Sequence, residues 1–157
     1  RYTLGVLVLA NHGRLEDLCI GGKSVGAKIA AHLGSAPEQQ QDKGSCIVVM
    51  ATDLPLCARQ LERVVKRASV GLARLGSYIG HGEVFLGFST TNRVPHESAR
   101  AVLLCTVLHE GRIDAVFRAM GEATEEAVLR AMLCADTVTG FDGSTKYTIR
   151  NFVSQIY

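Results

Sequence analysis

The run Ser45-Cys-Ile-Val-Val-Met-Ala51 constrains this chain more than any other stretch. It is apolar from its second residue onward, of strand length, and bounded by Gly44 before it and Thr52-Asp-Leu-Pro55 after it. A strand without a polar face needs cover on both sides, which places it inside a sheet. The next segment supplies a cover. Leu61, Val64, Val65, Ala68, Leu72 and Leu75 recur at helical spacing, with Arg59, Glu62, Arg63, Lys66 and Arg67 mostly on another face. Thr52 or Asp53 can cap this helix, Pro55 fits its first turn, and Gly76 stops it.

Similar reasoning extends along the chain. Tyr2–Asn11 is β-rich and predicts a largely buried strand. His12-Gly-Arg14 turns it, Leu15–Ile20 returns, and Gly21-Gly22 marks a second tight turn. Lys23–Leu33 fits a strand or a short helix equally well. Gly34–Lys43, polar and carrying Pro37, is the only linker-like segment. Glu83–Thr90 and Ala99–Leu108 are predicted strands. Arg112–Thr137 is predicted helical and broken or bent near Gly121, with Val116, Met120, Ala123, Ala127, Val128 and Met132 inward. Strands mixed with long amphipathic helices give the α/β class, helices covering sheet.

With 157 residues, 47% of them apolar, the chain is of single-domain size and can bury a core. A net charge of +2 without a basic run argues against nucleic acid or an anionic membrane as partner. The longest apolar runs are of strand length, too short for a membrane-spanning helix. No basic-then-apolar leader opens the piece at Arg1, so a cytoplasmic location is expected. The five cysteines (Cys19, Cys46, Cys57, Cys105 and Cys134) sit in apolar contexts without a Cys-x-x-Cys pair. Buried free thiols are expected, and neither a metal nor a cofactor.

Ser45 is the leading candidate for chemistry. The polar stretch Gln39-Gln-Gln-Asp-Lys43 delivers a Gly-Ser pair to the start of a rigid strand. A serine hydroxyl needs a base, and no Gly-x-Ser-x-Gly elbow is present. Cleavage of the backbone before Ser45 would free an α-amino group, of pKa about 8, to act as that base. Gly44 would let the backbone bend for such an attack. Glu83 follows Gly80-His-Gly82; by itself it reads as a solvated carboxylate closing a turn. Gly80-x-Gly82 precedes a strand and is no dinucleotide fingerprint. Asn11 ends the first strand, where asparagine is ordinarily a turn former. His12, His32, His96 and His109 lack metal-ligand spacing, and Glu122, Glu125 and Glu126 fit an exposed helix side.

Ser45-Cys-Ile-Val-Val-Met-Ala-Thr-Asp-Leu-Pro-Leu56, Gln60-Leu-Glu-Arg63, Gly71-Leu-Ala-Arg74, Gly82-Glu-Val-Phe-Leu-Gly-Phe-Ser-Thr-Thr-Asn92 and Glu122-Ala-Thr-Glu-Glu-Ala127 follow one another in a familiar order. Together with Tyr2–Gly13 they resemble the self-processing DmpA-type aminopeptidases, the family of L-aminopeptidase/D-esterases and β-peptidyl aminopeptidases. The resemblance extends from Tyr2 to about Gly143, and the tail after Ser144 lies outside it.

The resemblance implies a four-layered αββα sandwich, of which this chain would be the C-terminal portion. Residues 1–44 would end a first subunit, and residues 45–157 would form a second that begins at the nucleophile. Ser45 would cut the chain before itself and then release N-terminal residues from small peptides, amides or esters through an acyl-enzyme. Asn11 would supply the oxyanion-stabilising amide. The family's Ser-Gly-Glu triplet reads His81-Gly82-Glu83 here. Glu83 carries over as the acid that positions the nucleophile, whereas His81 either replaces the triplet's serine as a base or fills a shortened turn. The expected partners are the substrate, the remaining N-terminal part of the enzyme and further copies in a homo-oligomer. Two alternatives stand beside this: a catalytically inactive portion or non-catalytic member of the family, and an acyltransferase of the ornithine acetyltransferase type. Ser45 argues against the latter, because that family cuts before a threonine.

Overall fold

The structure, a computed structural model, describes residues 1–34, 44–78 and 82–156. In chain order come β1 (Leu4–Asn11), a 3-10 turn (Leu15–Asp17), the short strands β2 (Cys19–Ile20) and β3 (Lys23–Ser24), and α1 (Gly26–Leu33). Then follow β4 (Ser45–Thr52), α2 (Ala58–Val65), α3 (Ala68–Arg74), β5 (Gly82–Ser89) and α4 (Ile113–Cys134). A small hairpin, β6 (Val138–Thr139) and β7 (Thr145–Lys146), leads to a 3-10 turn over Ile149–Phe152.

The principal sheet has the order β1-β4-β5, with β4 antiparallel to β1 and parallel to β5. Parallel neighbours need a crossover, and α2 with α3 lies within it. Alternation along the strands sorts the side chains onto two faces. On one, Val6, Val8, Cys46, Val48, Met50 and Phe85 pack against Val64, Val65, Ala68, Leu72, Val116, Met120 and Val128 of the helices. On the other, Leu7, Leu9, Ile47, Val84, Leu86 and Phe88 remain exposed. The expected burial of β4 on both faces is therefore met on one face within the described residues. Among the described residues no layer covers the apolar second face.

Several local expectations are corrected. Thr52 and Asp53 do not cap α2. The Thr52 hydroxyl donates to the Thr3 carbonyl at 2.6 Å and Asp53 Oδ1 accepts from the Thr3 amide at 2.6 Å, tying the end of β4 to the start of β1. Helix α2 begins instead after Cys57, whose amide donates to Gln60 Oε1 at 3.3 Å. The predicted single helix up to Leu75 is two, parted at Lys66-Arg67. There the hydrogen bonds tighten to the i−3 carbonyl, and the Ser69 hydroxyl takes the Lys66 carbonyl at 2.6 Å.

Helix α4 runs unbroken through Gly121, and the close approach of α3 to it there depends on Gly71. A Cβ on Gly71 of α3 would lie 2.5 Å from the Gly121 carbonyl oxygen and 2.8 Å from the Glu125 nitrogen. The predicted strand over Ala99–Leu108 is irregular. Asn92 takes both backbone groups of Thr106, at 3.0 and 2.8 Å, and the Leu108 amide goes to the Pro55 carbonyl at 2.7 Å. The backbone partners that a neighbouring strand would supply come from a side chain and a loop.

The Gly21-Gly22 turn forms as expected, with φ of 58° and 77°. Lys23–Leu33 resolves into β3 and α1. Ile149 and Phe152 of the tail bury against Ile29 of α1, beside Leu18, Ile20 and Met132, in a second small core. Of the five free cysteines only Cys46 is buried; Cys105 and Cys134 are exposed, contrary to the expected burial. The linker-like segment over 35–43 lies outside the described residues.

Candidate active site

Three strand ends meet at one edge of the principal sheet. Ser45 opens β4 and pairs directly with Asn11, the last residue of β1, and with Gly82, the first of β5. Asn11 and Ser45 are exposed, and alternation sends both side chains to the open face of the sheet. Directly opposed antiparallel residues hold their Cβ atoms about 4.5–5.5 Å apart. A hydroxyl and a carboxamide N–H donor thus sit side by side at the mouth of the central strand, with rigid, hydrogen-bonded backbone behind both.

One rung inward, Cys46 pairs with Ala10 and with Glu83. These residues point to the helix-covered face, where Cys46 is fully buried and Glu83 half-buried. Burial first, and then the Glu83 carboxylate, push the Cys46 thiol above its ordinary value. Cys46 is thus a neutral packing group and no rival nucleophile. Its burial matches the expectation of a buried free thiol, which Cys105 and Cys134 do not meet. Glu83 lies at the same sheet edge as Ser45, one rung inward and on the other face; among the described residues no side-chain hydrogen bond joins it to Ser45 or Asn11. His81 lies outside the described residues.

The remaining histidines include two structural ones. His32 meets Phe152 edge-on with ring centroids 6.1 Å apart, and His109 Nδ1 accepts from the Gly111 amide at 3.2 Å. Glu125 pairs with Arg74 at 2.7 Å, which ties α4 to α3. Among the described residues, no helix is long and apolar enough to cross a membrane.

The model of Peptidase family S58 matches residues 1–146. The chain belongs to peptidase family S58. It is 38% identical, over 95% of its length, to the β-peptidyl aminopeptidase BapA of Sphingosinicella xenopeptidilytica. It spans 40% of that protein. Among solved structures, the PH0078 protein of Pyrococcus horikoshii OT3 is 40% identical with a TM-score of 0.86, the match covering 99% of this chain and 42% of that one. The L-aminopeptidase D-Ala-esterase/amidase of Ochrobactrum anthropi, described as a variant of the Ntn hydrolase fold, is 34% identical with a TM-score of 0.80, over 96% and 44% of the two chains. The S58 chain described here has that α/β fold.

Proposed function

We propose that this S58 chain is the C-terminal portion of a self-processing serine aminopeptidase whose nucleophile is Ser45. The reading rests on one observation above the others: the register that brings Asn11, Ser45 and Gly82 to a single rung at the sheet edge. Scission between Gly44 and Ser45 would make residues 1–44 the end of one subunit and 45–157 the start of another. In scission the Ser45 hydroxyl adds to the Gly44 carbonyl and the acyl group shifts from nitrogen to oxygen. Water then hydrolyses the ester, leaving a Gly44 carboxylate and a free amino group on Ser45.

That amino group takes the hydroxyl proton during turnover. The hydroxyl attacks the carbonyl of a small peptide, amide or ester, the amine or alcohol leaves, and water releases the acyl group. The Asn11 carboxamide donates to the oxyanion of each tetrahedral intermediate. Glu83, one rung inward on the helix-covered face, is the acid that the family resemblance assigns to positioning the nucleophile. It would act through the Ser45 amine at the strand end rather than on the hydroxyl of the opposite face; His81 serves as a second base or as a turn residue. The relatives named β-peptidyl aminopeptidase and L-aminopeptidase support this substrate class.

The open face of Leu7, Leu9, Leu86 and Phe88 supports a further part of the reading. The substrate pocket is completed by the remaining N-terminal part of the enzyme, and the whole assembles as a homo-oligomer. The test is an assay of the full-length gene product on aminoacyl amides, short peptides and aminoacyl esters. Release of N-terminal residues that is lost in Ser45→Ala is the expected result. Turnover that persists in Ser45→Ala overturns the reading.

A further inference from the structure

Gly44 stands immediately before the proposed nucleophile, half-buried, where the chain reaches the sheet edge. A Cβ built on it would lie 2.1 Å from the Asn11 carbonyl oxygen, 2.7 Å from His12 Cα and 2.9 Å from the Asn11 carbonyl carbon. All three are backbone atoms. Those of Asn11 are held in the β1–β4 ladder, whose outermost rung is Asn11 with Ser45. Approaches below about 3 Å are not relieved by rotating a side chain when the obstacle is a hydrogen-bonded strand, so the incoming residue must move. The requirement for glycine is thus a matter of contact, beyond the backbone bending that the sequence suggests.

We propose that Gly44 is a positioning residue for scission. Its bare Cα lets the chain close onto the backbone of Asn11, and this contact seats the Gly44–Ser45 peptide bond in line with the Ser45 hydroxyl and beside the Asn11 carboxamide. A side chain at this position lifts the scissile carbonyl off that seat. The contact belongs to the uncut chain alone. After scission Gly44 is a carboxyl terminus and takes no part in turnover, so the residue sets the rate of maturation and leaves the mature site unaffected.

The proposal rests on the self-processing reading, and the experiment separates the two. In the full-length enzyme, Gly44→Ala and Gly44→Val are compared with the parent for the rate at which Ser45 becomes an amino terminus, followed by intact mass. For each protein kcat and KM are then expressed per mole of Ser45 amino terminus, and thermal unfolding is recorded beside them. Scission slowed at least tenfold in Gly44→Ala and further in Gly44→Val is expected, with kcat and KM per processed site within about twofold of the parent. Scission at the parental rate in both variants overturns the proposal. So does a loss of kcat per processed site that parallels the loss of scission, since that would make Gly44 part of the mature site or of general folding. A parent that stays whole, or a Ser45→Ala variant that is still cut, would instead sink the self-processing reading beneath it.

Discussion

Asn11 and Ser45 face each other across the outermost rung of the β1–β4 pair, with both side chains on the open face of the sheet. Strand pairing rather than loop conformation fixes this relationship. A group that donates to the oxyanion acts in the transition state more than in the bound substrate. Asn11→Ala in the full-length enzyme is predicted to lower kcat by about two to three orders of magnitude and leave KM nearly unchanged. Steady-state kinetics on an aminoacyl amide check this. A loss expressed mainly in KM would place Asn11 in substrate binding instead.

The contact of Gly71 with the Gly121 carbonyl sets two effects against each other. Alanine is the better helix former by about 1 kcal/mol. Its methyl group, however, would sit 2.5 Å from a backbone oxygen of α4. Overpacking of that kind costs about 1–3 kcal/mol. Gly71→Ala is predicted to lower stability by up to about 2 kcal/mol net, seen as a lower denaturant midpoint. A rise in the midpoint would mean that α3 and α4 are not in close contact.

Glu110 gives a pH signature. Gln60 Nε2 donates to it at 2.9 Å, and Arg59 and Arg63 pair with it, Arg63 at 2.5 Å. These bonds, that of Gln60 first and then those of Arg59 and Arg63, bring its carboxyl down to about 2 from the ordinary 4.5. A lowered folded-state value means that the carboxylate favours folding. The contribution is complete above pH 4.5 and is lost as pH falls through about 2. Glu110→Gln is predicted to melt below the parent near neutral pH, with the difference closing over that window. A constant difference across it would mean that the contribution is not electrostatic.

The tail clasps α1. Phe152 is 7% exposed and meets both His32 and Tyr147 edge-on. Phe152→Ala is predicted to cost about 3 kcal/mol. Phe141, fully exposed at the hairpin tip, should cost less than about 0.5 kcal/mol when replaced by alanine. Urea unfolding of both variants decides this; equal effects would mean that the second core adds nothing.

Patterns with a local cause were legible in the sequence. The apolar run after Ser45 and the Gly21-Gly22 turn predict the elements found, and the helical spacing from Leu61 to Leu75 predicts helix there though not its division at Lys66-Arg67, because alternation, period and φ preference act within a few residues. What was not legible depends on distant partners. Thr52 and Asp53 are good capping residues, but Thr3 takes them. Gly121 suggests a break in the helix, but α4 continues through it with its backbone carbonyl packed against Gly71 of α3. Ala99–Leu108 has the composition of a strand, yet Asn92 satisfies part of its backbone in place of a neighbouring strand. At the site, Ser45 and Asn11 were legible as residues, and the register that sets them side by side was not. The face onto which Glu83 projects also follows only from that register.

The Gly44–Ser45 bond is where the account is most directly exposed. Intact-mass analysis and N-terminal sequencing of the full-length gene product, beside its Ser45→Ala variant, test it. Two polypeptides, one of them beginning Ser45-Cys-Ile-Val-Val, are predicted from the parent and a single uncut chain from the variant. An uncut parent that turns over substrate, or a variant cut at the same bond, would contradict it.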